Sequence, residues 1–141
     1  MRTLFLLSLV FIILSGCASE KLSPAEVVRE NYRAMETEDI QLYRKTVTGA
    51  RESTADTLLV MFFNEYDVAY SIDSIETIGE LGDIAQVRTV VTATDRGGPN
   101  KFHDNRMVAI HKLRLDRGKW KIFYSEIEKP TLLEKVEVAA E

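Results

Sequence analysis

Two histidines and one cysteine are the side chains best suited to bind a metal or attack a carbon in this 141-residue chain. His103 and His111 sit in the alternating stretch Phe102-His103-Asp104-Asn105-Arg106-Met107-Val108-Ala109-Ile110-His111. An even separation puts both on one face of a strand, but at ~3.4 Å per residue they stand ~27 Å apart. Zinc–nitrogen bonds are about 2 Å long, so no single ion joins them. The chain has no His-Glu-x-x-His segment and no second cysteine, so neither a metal site nor a cofactor is expected. His111 alone keeps a chemical option, because imidazole changes charge near neutral pH. The plainer reading, which is favoured, is a core position where a backbone carbonyl or a carboxylate satisfies the ring. Tyr32, Asp73 and Tyr124 join His111 as candidate pocket residues. No spacing among them forms an acid–base motif, so no catalytic residue is assigned. There is also no Gly-x-Ser-x-Gly elbow and no phosphate-binding glycine loop before a helix.

The cysteine follows an apolar run, Leu4 to Leu14, broken only by Ser8. As a helix this run is about 16 Å long, roughly half the ~30 Å hydrocarbon core of a bilayer. With Arg2 ahead of it and small residues behind, it has the layout of an export signal. Gly16 and Ala18 fit ordinary secretory cleavage, and a retained signal anchor is a further alternative. Leu14-Ser15-Gly16-Cys17 resembles the lipobox of bacterial lipoproteins. That resemblance implies a diacylglyceryl group on the Cys17 sulfur and cleavage that leaves Cys17 first. One acyl chain holds a protein weakly, at about 0.8 kcal/mol per buried methylene, whereas two or three anchor it firmly. Ala18 after the cysteine implies the outer membrane, facing the periplasm, in a Gram-negative host. The expected layout is a signal peptide over 1–16, a lipidated tether over 17–22, one domain over 23–129 and a tail over 130–141 that forms a short helix or stays disordered. The net charge is −4 and the cations are dispersed, so no nucleic-acid partner is expected.

The candidate side chains depend on elements that the pattern also predicts. Ser23-Pro24-Ala25-Glu26 is a capping box with proline at the first helical position. Val28, Tyr32 and Met35 then form the apolar stripe of a helix over 24–37. A second helix starts at Glu38-Asp39 and stops at Gly49. A third starts near Ser53 or Thr54 and carries Leu58, Leu59, Met61, Phe62, Phe63 and Tyr66. Its apolar circumference predicts that it is largely buried. Strands follow at about 68–78, 83–95, 101–116 and 119–129, joined by Gly79-Glu80-Leu81-Gly82, a Gly97-Gly98-Pro99 loop and the tight Asp116-Arg117-Gly118 turn. Such short links make the neighbours antiparallel. Within the third strand the set His103, Asn105, Met107, Ala109, His111, Leu113 and Leu115 is assigned to the helix-facing side.

The expected fold class is therefore α+β, three N-terminal helices packed in a curved four-stranded antiparallel meander. This order, with "ETEDIQLYRKTV" and the closing "GKWKIFYSEIEK", resembles the nuclear transport factor two-like (cystatin-like) superfamily of ketosteroid isomerases and polyketide cyclases. The resemblance implies a cone-shaped pocket at the open end. The function expected from it is non-catalytic: a lipid-anchored domain that binds a small apolar ligand or an envelope protein. An isomerase or cyclase using Tyr32 with His111 or Asp73, and a periplasmic assembly scaffold, are the alternatives. Strand faces bearing Val68, Tyr70 and Ile72, or Trp120, Ile122 and Tyr124, are expected to allow a homodimer.

Overall fold

The structure is a computed structural model that describes residues 21–133, with the side chains of 50–56 left aside. The apolar run, Cys17 and the end of the tail lie outside the described residues. Three helices, α1 (Pro24–Glu36), α2 (Ile40–Thr46) and α3 (Ala50–Glu65), precede four long strands. The strands are β1 (Val68–Leu81), β2 (Ile84–Asp95), β3 (Asn105–Asp116) and β4 (Lys119–Ile127). They pair in sequence order, each antiparallel to the next. The α+β meander read from the sequence is the architecture observed.

The helix starts are made by the side chains that predict them. The Ser23 amide donates to Glu26 Oε2 at 2.7 Å, and Ser23 Oγ accepts from the Glu26 amide at 3.3 Å. Asp39 caps α2 by accepting from the Leu42 amide at 2.9 Å. Val27, Val28, Asn31, Tyr32 and Ala34 form the buried side of α1. That side lies in the concavity of the sheet against Val87, Val91, Leu113 and Ile122, all fully buried. Removing these aliphatic side chains from water is the main drive that holds helix and sheet together. Asn31 Nδ2 donates to Thr46 Oγ1 at 2.8 Å, and Thr46 Oγ1 donates to the Tyr43 carbonyl at 2.6 Å, which ties α2 to α1.

Three bulges bend the sheet and redirect side chains. Asp73 and Ile78 are the extra residues in β1, and Phe123 is the extra residue in β4. A bulge shifts the alternation by one residue, so everything beyond it faces the other way. Ile122 therefore pairs with Leu113 on the inside, while Tyr124 pairs with Lys112 on the outside.

Three sequence expectations need correction. Helix α3 is not largely buried: Leu58 is 66% and Met61 55% exposed, while among its described side chains Leu59 is buried and Phe63 packs partly buried against the core. It lies at one side of the domain against α2 and β4, with Phe62 meeting Phe102 of the β2–β3 loop, and its described residues Leu58, Val60 and Met61 face solvent. The tail after Pro130 is neither helix nor disorder at its start, because β5 (Thr131–Leu132) pairs with Asn105 and Arg106 of β3. Of the strand residues offered for pairing two copies, all but Tyr124 are used within the domain. Val68 is 4% exposed, Tyr70 and Ile72 pack on the core, and Trp120 and Ile122 point inward.

The long loop between β2 and β3 is held by Arg96. Its Nε lies 2.7 Å from Asp67 Oδ1, and its guanidinium donates to the Glu36 carbonyl at 2.9 Å. Gly98 follows at a close backbone crossing, where an added Cβ would lie 2.4 Å from the Asp67 nitrogen. Gly98→Ala is expected to cost about 1–3 kcal/mol of stability, because backbone on both sides has to move. Urea unfolding of the two chains checks this, and an unchanged midpoint would contradict it.

Candidate functional site

His111 sits at the centre of a buried polar cluster. Its Nδ1 is 2.7 Å from Ser125 Oγ of β4, and its Nε2 is 3.2 Å from both Thr89 Oγ1 of β2 and the Tyr32 hydroxyl of α1. Tyr32 and Thr89 are 3.1 Å apart, which closes a triangle of two hydroxyls and one ring nitrogen. Hydroxyls both donate and accept, so a neutral imidazole is satisfied here in either tautomer. The Tyr32 ring meets the His111 ring edge-on, with centroids 5.6 Å apart. His111 is 5% exposed, Tyr32 9% and Thr89 0%. Ser125 is half-buried at its edge, and the cluster binds four elements, α1, β2, β3 and β4, together.

The other proposed pocket residues do not join it. Asp73 is the bulge residue of β1 and accepts from Thr92 Oγ1 at 2.9 Å and Arg106 Nε at 3.0 Å. Those two bonds hold its carboxyl below the usual carboxylate range, so it is a paired surface acid. Tyr124 is 48% exposed on the outer face, with the Lys112 ammonium 5.3 Å from its ring centroid. The Phe123 bulge put it there, and Ser125 took the inward place opposite His111. His103 is exposed. Of the four residues, only Tyr32 and His111 meet. Thr89 and Ser125 escaped the sequence reading because small hydroxyl residues in a strand carry no motif.

Tyr70 packs beside this cluster, its ring 6.0 Å from that of Tyr32. Burial, with a smaller contribution from Tyr32, pushes its phenol up to about 12.

A second site lies at the end of the sheet carrying the β1–β2 and β3–β4 turns. A groove of about 480 Å³ runs between the start of α1, α2 and the β3–β4 hairpin. Its apolar lining includes Leu22, Val27, Leu42 and Trp120. Lys21, Lys45, Arg117, Lys119 and Lys121 surround it, with Glu30 as the acidic member. The hairpin turn is tight because Arg117 and Gly118 both take positive φ, 48° and 74°. At the opposite end, beside the β2–β3 loop, Phe62, Tyr66 and Phe102 pack together with ring centroids 5.2–6.4 Å apart. The basic groove was missed because its cations come from three separate segments. The hairpin run Arg117-Gly118-Lys119-Trp120-Lys121 was the legible part.

Residues 26–133 match the family described as the C-terminal domain of anti-sigma-I factor RsgI9. The chain belongs to that family. A curated relative, anti-sigma-I factor RsgI9 of Acetivibrio thermocellus, is 35% identical over 105 residues, covering 73% of this chain and 15% of the relative. The matched region is thus a small part of a much longer protein. Among solved structures, an NTF2-like family protein from Streptomyces avermitilis superposes with a TM-score of 0.60 at 15% identity, covering 76% of this chain and 93% of its own. A protein of unknown function with a cystatin-like fold from Nostoc punctiforme gives 0.59 at 13% identity, covering 83% and 98%. An NTF2-like protein of unknown function from Pseudomonas putida gives 0.59 at 14%, covering 79% and 92%. These likenesses confirm the nuclear transport factor two-like fold. Membership in the RsgI9 C-terminal-domain family overturns the functional expectation. Non-catalytic binding of a small apolar ligand or an envelope protein is replaced by kinship with an anti-sigma-I factor, and the isomerase, cyclase and scaffold alternatives are not favoured.

Two outcomes follow from the buried cluster. Tyr32→Phe should lower stability by about 1 kcal/mol, since Thr89 and His111 keep each other as partners. Tyr124→Phe, on the surface, should stay within about 0.5 kcal/mol of the parent; equal losses in urea melts would refute the contrast. The second outcome is alkaline. A phenol raised from 10 to about 12 by folding favours the neutral form, so its stabilisation is complete below pH 10 and is lost as pH rises toward 12. Phenolate absorbance should show one tyrosine ionising last, together with unfolding. Simultaneous titration of all tyrosines in a folded chain would contradict it.

Proposed function

We propose that this chain is a regulatory, protein-contacting component of an anti-sigma-I system. The observation that carries the reading is the family match across 26–133, supported by 35% identity to an anti-sigma-I factor. The coarse partner is then a protein, with a sigma-I factor as the target whose activity is governed. The geometry favours contact over catalysis. The imidazole is enclosed among hydroxyls, and Asp73, the carboxylate proposed as its partner, is paired on the outer face.

The sequence before the domain supports a placement as well. Arg2, the run Leu4–Leu14 and Leu14-Ser15-Gly16-Cys17 favour export and acylation at Cys17. On that placement the bilayer separates this domain from a sigma factor, and its influence passes through a membrane-spanning member of the system. Its position in the outer membrane or another envelope layer depends on the host.

Deleting the gene in its own host, with a reporter driven by a sigma-I-dependent promoter, tests the regulatory reading. Reporter output should change several-fold and return on complementation; no change under any growth condition would remove the proposal. The same strain complemented with Cys17→Ser tests the placement. Palmitate labelling should vanish and the protein should leave the membrane fraction, whereas unchanged fractionation would overturn acylation alone.

A further inference from the structure

We infer that the basic groove is a membrane-docking face that seats on anionic lipid headgroups, beyond what an acyl anchor supplies. The inference rests on the placement at the membrane proposed above. Its first support is charge. The chain as a whole is net −4, yet five cations and one carboxylate line this groove. Lys21, Lys45, Arg117 and Lys119 are exposed and Lys121 is half-buried, so the ammonium and guanidinium groups reach solvent. Glu30 is partly neutralised by Arg33, whose Nη1 is 3.4 Å away.

The second support is position. Lys21 is four residues from Cys17, and an extended link of that length spans at most about 14 Å. Its ammonium lies beside the hairpin tip, 3.6 Å from where a Cβ on Gly118 would be. An anchor at Cys17 therefore holds this end of the domain, and not the end closed by Phe62 and Phe102, against the bilayer. The Debye length in physiological salt is about 8 Å, so headgroup charge acts on the groove once this short link lets it seat within that range of the surface.

The third support is composition. Trp120 is half-buried in the groove, and Leu22 is 45% exposed at its edge. A ring with an apolar body and a polar N–H beside lysines is the arrangement that settles at a membrane–water interface. Basic groups near an anionic surface add attraction that one or two acyl chains do not provide.

Trp120 is the chain's single tryptophan, so its fluorescence reports on this groove directly. The full chain carrying Cys17→Ser, in detergent-free buffer, is titrated with phosphatidylglycerol-containing vesicles, with pure phosphatidylcholine vesicles and with inorganic phosphate. A blue shift of Trp120 is expected with the anionic vesicles alone, and it should weaken as salt is raised. Lys119→Glu with Lys121→Glu should reduce apparent affinity by at least about tenfold. Lys45→Glu, on a different element, should reduce it in the same direction, which guards against a hairpin that simply misfolds. An equal shift on neutral vesicles would mean that the apolar N-terminal run does the binding, and would overturn the inference. A shift with inorganic phosphate would overturn it too, in favour of a soluble-anion site. Failure here with palmitate still on wild-type Cys17 would sink the docking face and leave the anchor standing.

Discussion

One buried imidazole joins the first helix to three strands. His111 faces hydroxyls from α1, β2 and β4, and so fixes where Tyr32, Thr89 and Ser125 stand relative to each other. Aliphatic burial of α1 in the concavity supplies the drive, but it is non-directional and would tolerate sliding. Hydrogen bonds are directional, and an unpaired polar group in such a place is costly. The cluster therefore sets the depth and rotation of α1. Through Asn31 and Thr46 it also sets α2, whose end bridges to β4 at Val47 and Ile122. The groove between α1, α2 and the β3–β4 hairpin inherits its shape from that arrangement.

Much of this fold is legible in the residues. The capping box at Ser23, the Asp39 cap, the period-two strands and the Arg117-Gly118 turn are local signals, and each element appears where its signal stands. The face of β3 that carries Asn105, Ala109, His111 and Leu113 points inward as its polarity predicts. The misreadings have a common physical origin in non-local packing. Helix α3 looks buried by composition, but composition does not tell how many neighbours will cover a helix. The tail pairs as β5 because the start of β3 offers an unpaired edge, and nothing within the tail announces that.

The candidate site was read less well than the fold. The structure brings Tyr32 and His111 into contact, where the apolar stripe of α1 meets the inward face of β3. Asp73 and Tyr124, candidates through the ketosteroid isomerase resemblance, lie elsewhere, because one is a bulge residue and the other follows a bulge. The function drawn from the fold also failed, because the fold is shared by proteins of many activities and carries no activity of its own. The RsgI9 kinship came from sequence identity spread along the domain and not from a constellation of reactive groups.

The Phe123 bulge also bears on how this family can change over time. Loss of that one residue would rejoin β4 to regular alternation. Tyr124 would still oppose Lys112 and Ser125 would still oppose His111, so the faces of β4 beyond that point would be kept. Ironing out the bulge with Phe123 retained is the damaging change, because it would set the Tyr124 phenol opposite His111 in place of the serine hydroxyl. The bulge is thus what lets β4 carry one residue more than its partner without moving Ser125 off the cluster.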